Sequence, residues 1–226
     1  GTQALEIAHA LHLVIEKGLD MKSRGAIAQM DIRAFYDSMQ MLKFARWLVS
    51  QGMPAHEAAC FLRHQMCPKV CLVTRDLCFE VQNRSRGGLT GSRVAGGFGR
   101  VPVETVLAER AHAWRQWGFG LGNDTCLMVS AYVDNLYSSS GTVHGAISML
   151  EDAACHLHSQ WGHEIKGSSR SVMACSGNPE LSPDPSRWPL VDSFECLGHI
   201  LQSDCGIRAC FSNVKRSLWG AFWGNC

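Results

Sequence analysis

The sequence predicts an α+β fold, an antiparallel sheet backed by helices on one side. Several short segments alternate apolar and polar residues as half-buried strands do, and longer ones repeat apolar residues every three to four positions as helices do. The two kinds do not alternate regularly enough for a doubly wound parallel sheet. A chain of 226 residues suits one domain, or one with a small appendage, and has room for a real core. With 46% hydrophobic and 18% charged residues, disorder is excluded. Lysine and arginine number 21 against 20 acidic residues, so the net charge of +1 gives no bulk attraction to nucleic acid. Any such binding must come from local patches.

Leu5, Ala8, Leu11, Ile15 and Leu19 describe one face of a first helix. After Gly25, residues 26–32 read as a short buried strand ending in a carboxylate. A second helix turns Met41, Leu42, Ala45, Leu48 and Val49 inward and stops at Gly52, and Pro54 opens a third that runs to Met66. Residues 70–74 and 77–81 alternate around Arg75-Asp76, as a hairpin should. A Gly- and Arg-rich stretch over 84–100 follows, then a helix opened by Pro102. A turn at residues 120–123 leads into a strand over 126–133, with a tight turn at Asp134-Asn135 and a return strand over 136–138. Val143, Ile147, Leu150, Ala154, Leu157 and Trp161 form one face of another long helix. Four of the seven prolines fall in 179–189, a loop. Residues 194–201 and 207–211 form a closing hairpin around 203–206, and a short helix with Lys215, Arg216, Trp219 and Phe222 ends the chain.

No apolar run reaches the roughly 18 residues of a membrane helix. The start shows no secretory leader and no initiator Met, as expected of a segment excised from a longer protein. Eleven cysteines, scattered from Cys60 to Cys226 without a CxxC pair, read as small buried hydrophobes of an intracellular protein rather than a disulfide scaffold.

Two segments share one design, an apolar strand that delivers an acid at its end. They are Met30-Asp31-Ile32-Arg33-Ala34-Phe35-Tyr36-Asp37 and Ala131-Tyr132-Val133-Asp134-Asn135. An unpaired carboxylate in a buried strand costs several kcal/mol, on the order of 2–7 for a polar group and more for a charge. Either acid alone reads more readily as a cap on the following turn or helix. Side by side, the two would need divalent metal to offset their repulsion, which is the frame of two-metal phosphoryl transfer.

Together these segments resemble the palm of reverse transcriptases. The first is similar to the family's motif A and Tyr132-Val133-Asp134-Asn135 to its motif C, Tyr-x-Asp-Asp in most members. Gly87-Gly88-Leu89-Thr90-Gly91-Ser92 resembles motif B, residues 165–173 the basic motif D, and Phe194-Glu195-Cys196-Leu197-Gly198 the primer-grip motif E. The resemblance implies a palm with partial fingers elements over 1–211, and the start of a thumb or connection over 212–226. It implies a retroelement RNA-directed DNA polymerase, a nucleotidyltransferase that adds dNTP to a primer 3′-hydroxyl on an RNA or DNA template, with missing fingers, thumb or other domains carried by a longer polyprotein.

The resemblance assigns roles to residues. Asp31 and Asp134 hold two Mg²⁺ (or Mn²⁺) ions, with the Ile32 carbonyl as a third ligand and Asn135 beside them. Tyr36, with Phe35, stands where the family places an aromatic gate against the sugar 2′ position, which favours deoxynucleotides. Gly91 borders the nucleotide. Arg170 meets pyrophosphate, with Lys166 as its rival. Arg84, Arg86, Gly87 and Arg93, with Arg100, make the local patch for nucleic acid, and Leu197 and Gly198 touch the primer. Departures from the pattern are Asn135 for the second Asp, Thr90 for a usual Gln and Arg93 for a common Pro. Asn135 removes one negative charge, which weakens metal affinity and favours an alternative, an inactive palm-like fragment that still binds nucleic acid. A further alternative is a structural zinc protein using His56, Cys60, His64, Cys67 and Cys71, although three ligands spread over two helical turns close poorly around one ion.

Overall fold

The computed structural model describes residues 2–20, 24–66, 70–73, 78–81, 87, 95–122, 124–175, 182–206, 211–212 and 215. The chain forms two compact units. One takes Gly1–Asp31, Glu109–Asp152 and Lys166–Cys226, and the other Ile32–Ala108 and Ala153–Ile165.

The first unit is built on a four-stranded antiparallel sheet. Its strands are β1 (Ala26–Asp31), β6 (Val129–Tyr132), β7 (Asn135–Ser140) and β8 (Ser171–Ala174), in the order β6-β7-β1-β8. The β1/β7 register pairs Ile27 with Ser139, Gln29 with Tyr137 and Asp31 with Asn135. Because side chains alternate, those residues share one face. On it, Ile27, Tyr137 and Met173 pack with Ala8, Leu11, Val14 and Ile15 of helix α1 (Thr2–Asp20). The opposite face carries Ala28, Leu136, Ser138 and Val172, all fully buried. There the Ser138 hydroxyl donates to the Ala146 carbonyl at 2.8 Å, on helix α6 (Val143–His156). Helices therefore lie on both faces of the sheet, not on one as expected. The near-continuous apolar and serine content of β1 and β7, buried on both sides, demands that double cover.

Two small hairpins complete this unit, β4 (Phe119–Gly122) with β5 (Thr125–Leu127), and β9 (Ser193–Cys196) with β10 (His199–Gln202). The Tyr137 ring stacks on Phe194, centroids 6.4 Å apart. Arg110 and Trp114 both donate to Asp152 Oδ2, at 2.8 and 2.7 Å, holding the end of α5 (Ala95–Trp114) to α6. Trp188, fully buried in the proline-rich loop, donates to Glu151 at 2.7 Å.

The second unit contains the one-turn helix α2 (Phe35–Ser38), α3 (Met41–Ser50), α4 (Ala55–Met66) and the hairpin β2 (Val70–Val73) with β3 (Cys78–Val81). Phe44 stacks on Trp47 and tilts against Phe61 and Trp161. Trp161 lies on a π turn over Leu157–Trp161 that ends at Gly162.

Several expectations need correcting. Leu5 and Leu19 on α1 are exposed, so its inner face is the shorter Ala8-Leu11-Val14-Ile15 stripe. On α3, Leu42 and Val49 are also exposed, and Phe44 joins Met41 and Ala45 inside. Pro102 lies within α5 rather than at its start. Pro102 is buried, and packing outweighs the roughly 3 kcal/mol helix penalty of an interior proline. The strand over 126–133 is two strands, because β5 pairs back onto β4. Residues 194–201 are not one strand but fold back on themselves at Leu197-Gly198, with φ of +52° and +89°, while residues 207–210 of the expected partner strand lie outside the described residues. Those left-handed angles suit a two-residue turn whose twist matches its strands. The closing helix near Lys215 lies almost wholly outside the described residues.

Gly87 permits a tight approach within the second unit. Its N–H donates to the Met39 carbonyl at 3.0 Å and its φ is +85°. A Cβ there would lie 2.8 Å from Asp37 Cα and 2.9 Å from the Tyr36 carbonyl oxygen. Gly87→Ala should therefore destabilise the protein by about 1–3 kcal/mol, read as a lower denaturant midpoint at unchanged slope.

Candidate metal and nucleotide site

The β8 ladder stops at Ser171, opposite Gln29, and leaves the last two residues of β1 without a strand partner on that side. A 3-10 turn over Gly167–Ser169 takes its place. The Asp31 N–H donates to Ser169 Oγ at 2.9 Å, and the Lys166 N–H donates to the Asp31 carbonyl at 2.9 Å. Ser169 is held by its own hydroxyl, which donates to the Lys166 carbonyl at 2.6 Å. Both backbone groups of Asp31 thus face away from β7. The Asp31–Asn135 pair is then the narrow kind, Cα atoms about 4.5 Å apart, with side chains forced together.

Tyr132 pairs with Asn135, so the hairpin turns on Val133 and Asp134. That corrects the expected Asp134-Asn135 turn by one residue. Val133 has φ +56° and is exposed. A β-branched residue in the left-handed region is a true outlier, a strain of about 1–2 kcal/mol held at the tip beside Asp134.

The two carboxylates meet. The carboxyl of Asp31 is pushed above its ordinary range, first by burial, then by the negative charge of Asp134, with the nearby Lys166 pulling the other way. Asp31 Oδ1 is buried and finds no hydrogen-bond donor among the described residues. Asn135 Nδ2 donates to Asp134 Oδ1 at 3.2 Å, and Lys166 Nζ stands 4.0 Å from Asp31 Oδ2. Two adjoining carboxylates, one with an orphaned buried oxygen, fit a hard divalent cation.

Lys166, the rival in the sequence reading, is thus the cation beside the acids. Arg170 turns instead to Glu151, 3.6 Å away, and over the Trp188 ring. Sequence reasoning missed Ser169 entirely. In the second unit, Phe35 is buried and stacks on His163, while Tyr36 meets Phe35 edge-on. Ser38 Oγ lies 2.8 Å from His163 Nδ1, and burial lowers that imidazole to about 4, so it is neutral at physiological pH. Both Phe35 and Tyr36 pack on Gly99, where a Cβ would be 3.0 Å from each ring. Arg100 is drawn into an ion pair with Glu104 at 2.7 Å, which cuts its value as part of a basic patch. Arg84, Arg86, Gly91 and Arg93 lie outside the described residues. His56, Cys60 and His64 line exposed parts of α4 and do not converge on a metal among the described residues. Cys67 and the Cys71 side chain lie outside them.

No helix among the described residues is long and apolar enough to cross a membrane. No protein-family model and no curated protein matches the chain. Solved structures do. The chain is similar to telomerase from Candida tropicalis in complex with a fragment of telomeric RNA, with a TM-score of 0.61 and 9% identity over 93% of this chain and 36% of that one. It is also similar to apo telomerase from the same organism, truncated from its C-terminal domain, with a TM-score of 0.53 and 9% identity over 88% and 39%. The chain therefore spans under two fifths of those chains, and the likeness is one of fold.

The raised Asp31 acid sets a sign for pH dependence. A folded-state pKa above the unfolded one stabilises at low pH, and that contribution is lost as pH rises through the folded value. Without divalent cations, Asp31→Asn should raise the denaturant midpoint at neutral pH and flatten its fall above the ordinary carboxylate range. Added Mg²⁺ should stabilise the parent chain and leave that variant unmoved. Equal Mg²⁺ effects on both would dissociate Asp31 from cation binding.

Proposed function

We propose that this chain is the palm-centred part, over 1–211, of a retroelement-type RNA-directed DNA polymerase that transfers nucleotides to a primer 3′-hydroxyl. The observation that carries this is the meeting of Asp31 and Asp134 at one end of the central sheet, with a buried carboxylate oxygen left unpartnered. The likeness of fold to telomerase supports it. Asp31, Asp134, the Ile32 carbonyl and the Asn135 side-chain oxygen are the groups that would hold Mg²⁺ or Mn²⁺. When bound, two such ions lower the pKa of the attacking hydroxyl and neutralise charge on the leaving pyrophosphate.

The chain's own residues do the rest. Asp31 and Asp134 present carboxylate oxygens to cations. The strained Val133 turn and the Ser169 bond fix where those oxygens stand. Lys166 supplies the positive charge for pyrophosphate, in place of Arg170. The Tyr36 ring, backed by Phe35, excludes a 2′-hydroxyl and so selects dNTP. Gly87 and Gly91 allow close backbone approach to a base pair, with Arg84, Arg86 and Arg93 against the sugar-phosphate chain, and the Leu197-Gly198 turn supports the primer.

Primer extension on an RNA template with Mg²⁺ or Mn²⁺ tests this. Asp31→Asn and Asp134→Asn should each cut the rate by about 10²–10³-fold or more, the order seen when a group stabilising transition-state charge is removed. Asn135→Asp should raise apparent metal affinity. Tyr36→Ala should admit ribonucleotides. No extension by the parent chain or by Asn135→Asp, with template binding retained, would favour the inactive nucleic-acid-binding alternative that Asn135 suggests.

A further inference from the structure

Helix α1 carries His12 and Glu16 one turn apart on the same side. Facing them, from the turn after β10 and 193 residues along the chain from His12, is Cys205. His12 Nε2 lies 3.4 Å from Cys205 Sγ and 3.4 Å from Glu16 Oε1. The three donor atoms all fall within 4.8 Å of one another. One imidazole nitrogen carries at most one proton, so it cannot donate to the sulfur and the carboxylate together. A cation among the three can accept a lone pair from each donor atom at once.

The two distances from His12 Nε2 match a particular ion. Zinc bonds of about 2.3 Å to sulfur and about 2.0–2.2 Å to nitrogen and oxygen, at tetrahedral angles, put neighbouring donors roughly 3.3–3.6 Å apart. Sulfur, imidazole and carboxylate together suit zinc better than magnesium or calcium, which take oxygen. Glu16, Asp20 and Asp204 all act on the Cys205 thiol as negative charges, a surround that attracts a dication. Cys205 also sits at φ +59°, with its N–H donating to the Gln202 carbonyl at 3.0 Å, so its backbone is held in a conformation that few non-glycine residues adopt.

We infer that His12, Glu16 and Cys205 form a three-ligand zinc site that clips the N-terminal helix to the β9–β10 hairpin. The site is independent of the polymerase reading and separate from the α4 ligands that the sequence proposed. All three residues are partly or fully exposed, so water takes the fourth position. Closing a 193-residue separation gives the ion a large stabilising effect on the fold.

The chain, stripped with chelator and titrated with ZnSO₄ against a competing chromophore, should bind zinc, and Cys205→Ser and His12→Ala should each lose one equivalent. Cys60→Ser, an exposed α4 thiol, should bind as the parent does. Cobalt should give a sulfur-to-metal absorbance band that Cys205→Ser abolishes, and zinc should raise the thermal midpoint of the parent but not of Cys205→Ser. Undiminished zinc stoichiometry in Cys205→Ser, or a cobalt spectrum without the sulfur band, would reduce the trio to an ordinary hydrogen-bonded contact and overturn the inference.

Discussion

Two carboxylates pressed together where a central strand runs out are the constraint on which the first unit turns. Two like charges about 4 Å apart cost about 4 kcal/mol at the effective dielectric of a partly buried site. Nothing in the apolar core can recover that. The surroundings soften it instead. The Asn135 amide donates to Asp134, and Lys166 stands by Asp31, whose carboxyl is pushed up first by burial and then by the charge of Asp134. A fold that only needed stability would carry Asn or Ser at these positions.

The geometry that keeps the acids together comes from backbone bonds rather than from the acids themselves. Asp31 spends its N–H and carbonyl on Ser169 and Lys166, and so must face Asn135 as a narrow pair. The two-residue turn then sets Asp134 directly beside it, with Val133 strained at the tip. Strain of this kind persists only where its neighbours over-determine it, and here the neighbours are two buried strands covered by α1 and α6. The same double cover explains why β7, although rich in serine, is buried. Its hydroxyls find local partners, as Ser138 does at Ala146 and Ser140 at the Thr142 N–H.

Much of this was readable in the sequence, for a physical reason. An acid closing an apolar strand is expensive, so Met30-Asp31 and Val133-Asp134 stood out against their runs, and each lies where such a strand ends. The elements with strong periods, α1, α3, α4 and the β2/β3 hairpin, were also found. What failed was whatever depended on partners distant in sequence. Leu5, Leu19, Leu42 and Val49 have the right spacing for a core face but no neighbour to cover them. The run 194–201 reads as one strand, yet it folds back at Leu197-Gly198, where a leucine takes left-handed angles. Ser169 was invisible because its role is to finish a ladder that another strand abandons. Lys166 and Arg170 are four residues apart and both cationic; the Glu151–Trp188 corner distinguishes them by claiming Arg170.

Charge at the acidic end also bears on how the proposed reaction would be ordered. Asp31 and Asp134 bring two negative charges and Lys166 one positive, leaving a net of −1 where an aspartate at position 135 would have left −2. A single dication already reverses that sign. A second would meet net repulsion from the protein alone, and would be held only with the phosphates of an incoming nucleotide, which carry their own negative charge. In the proposed reaction Asn135 would therefore shift the burden of assembling two ions from the protein to the nucleotide, and the cluster would hold cations less tightly without it.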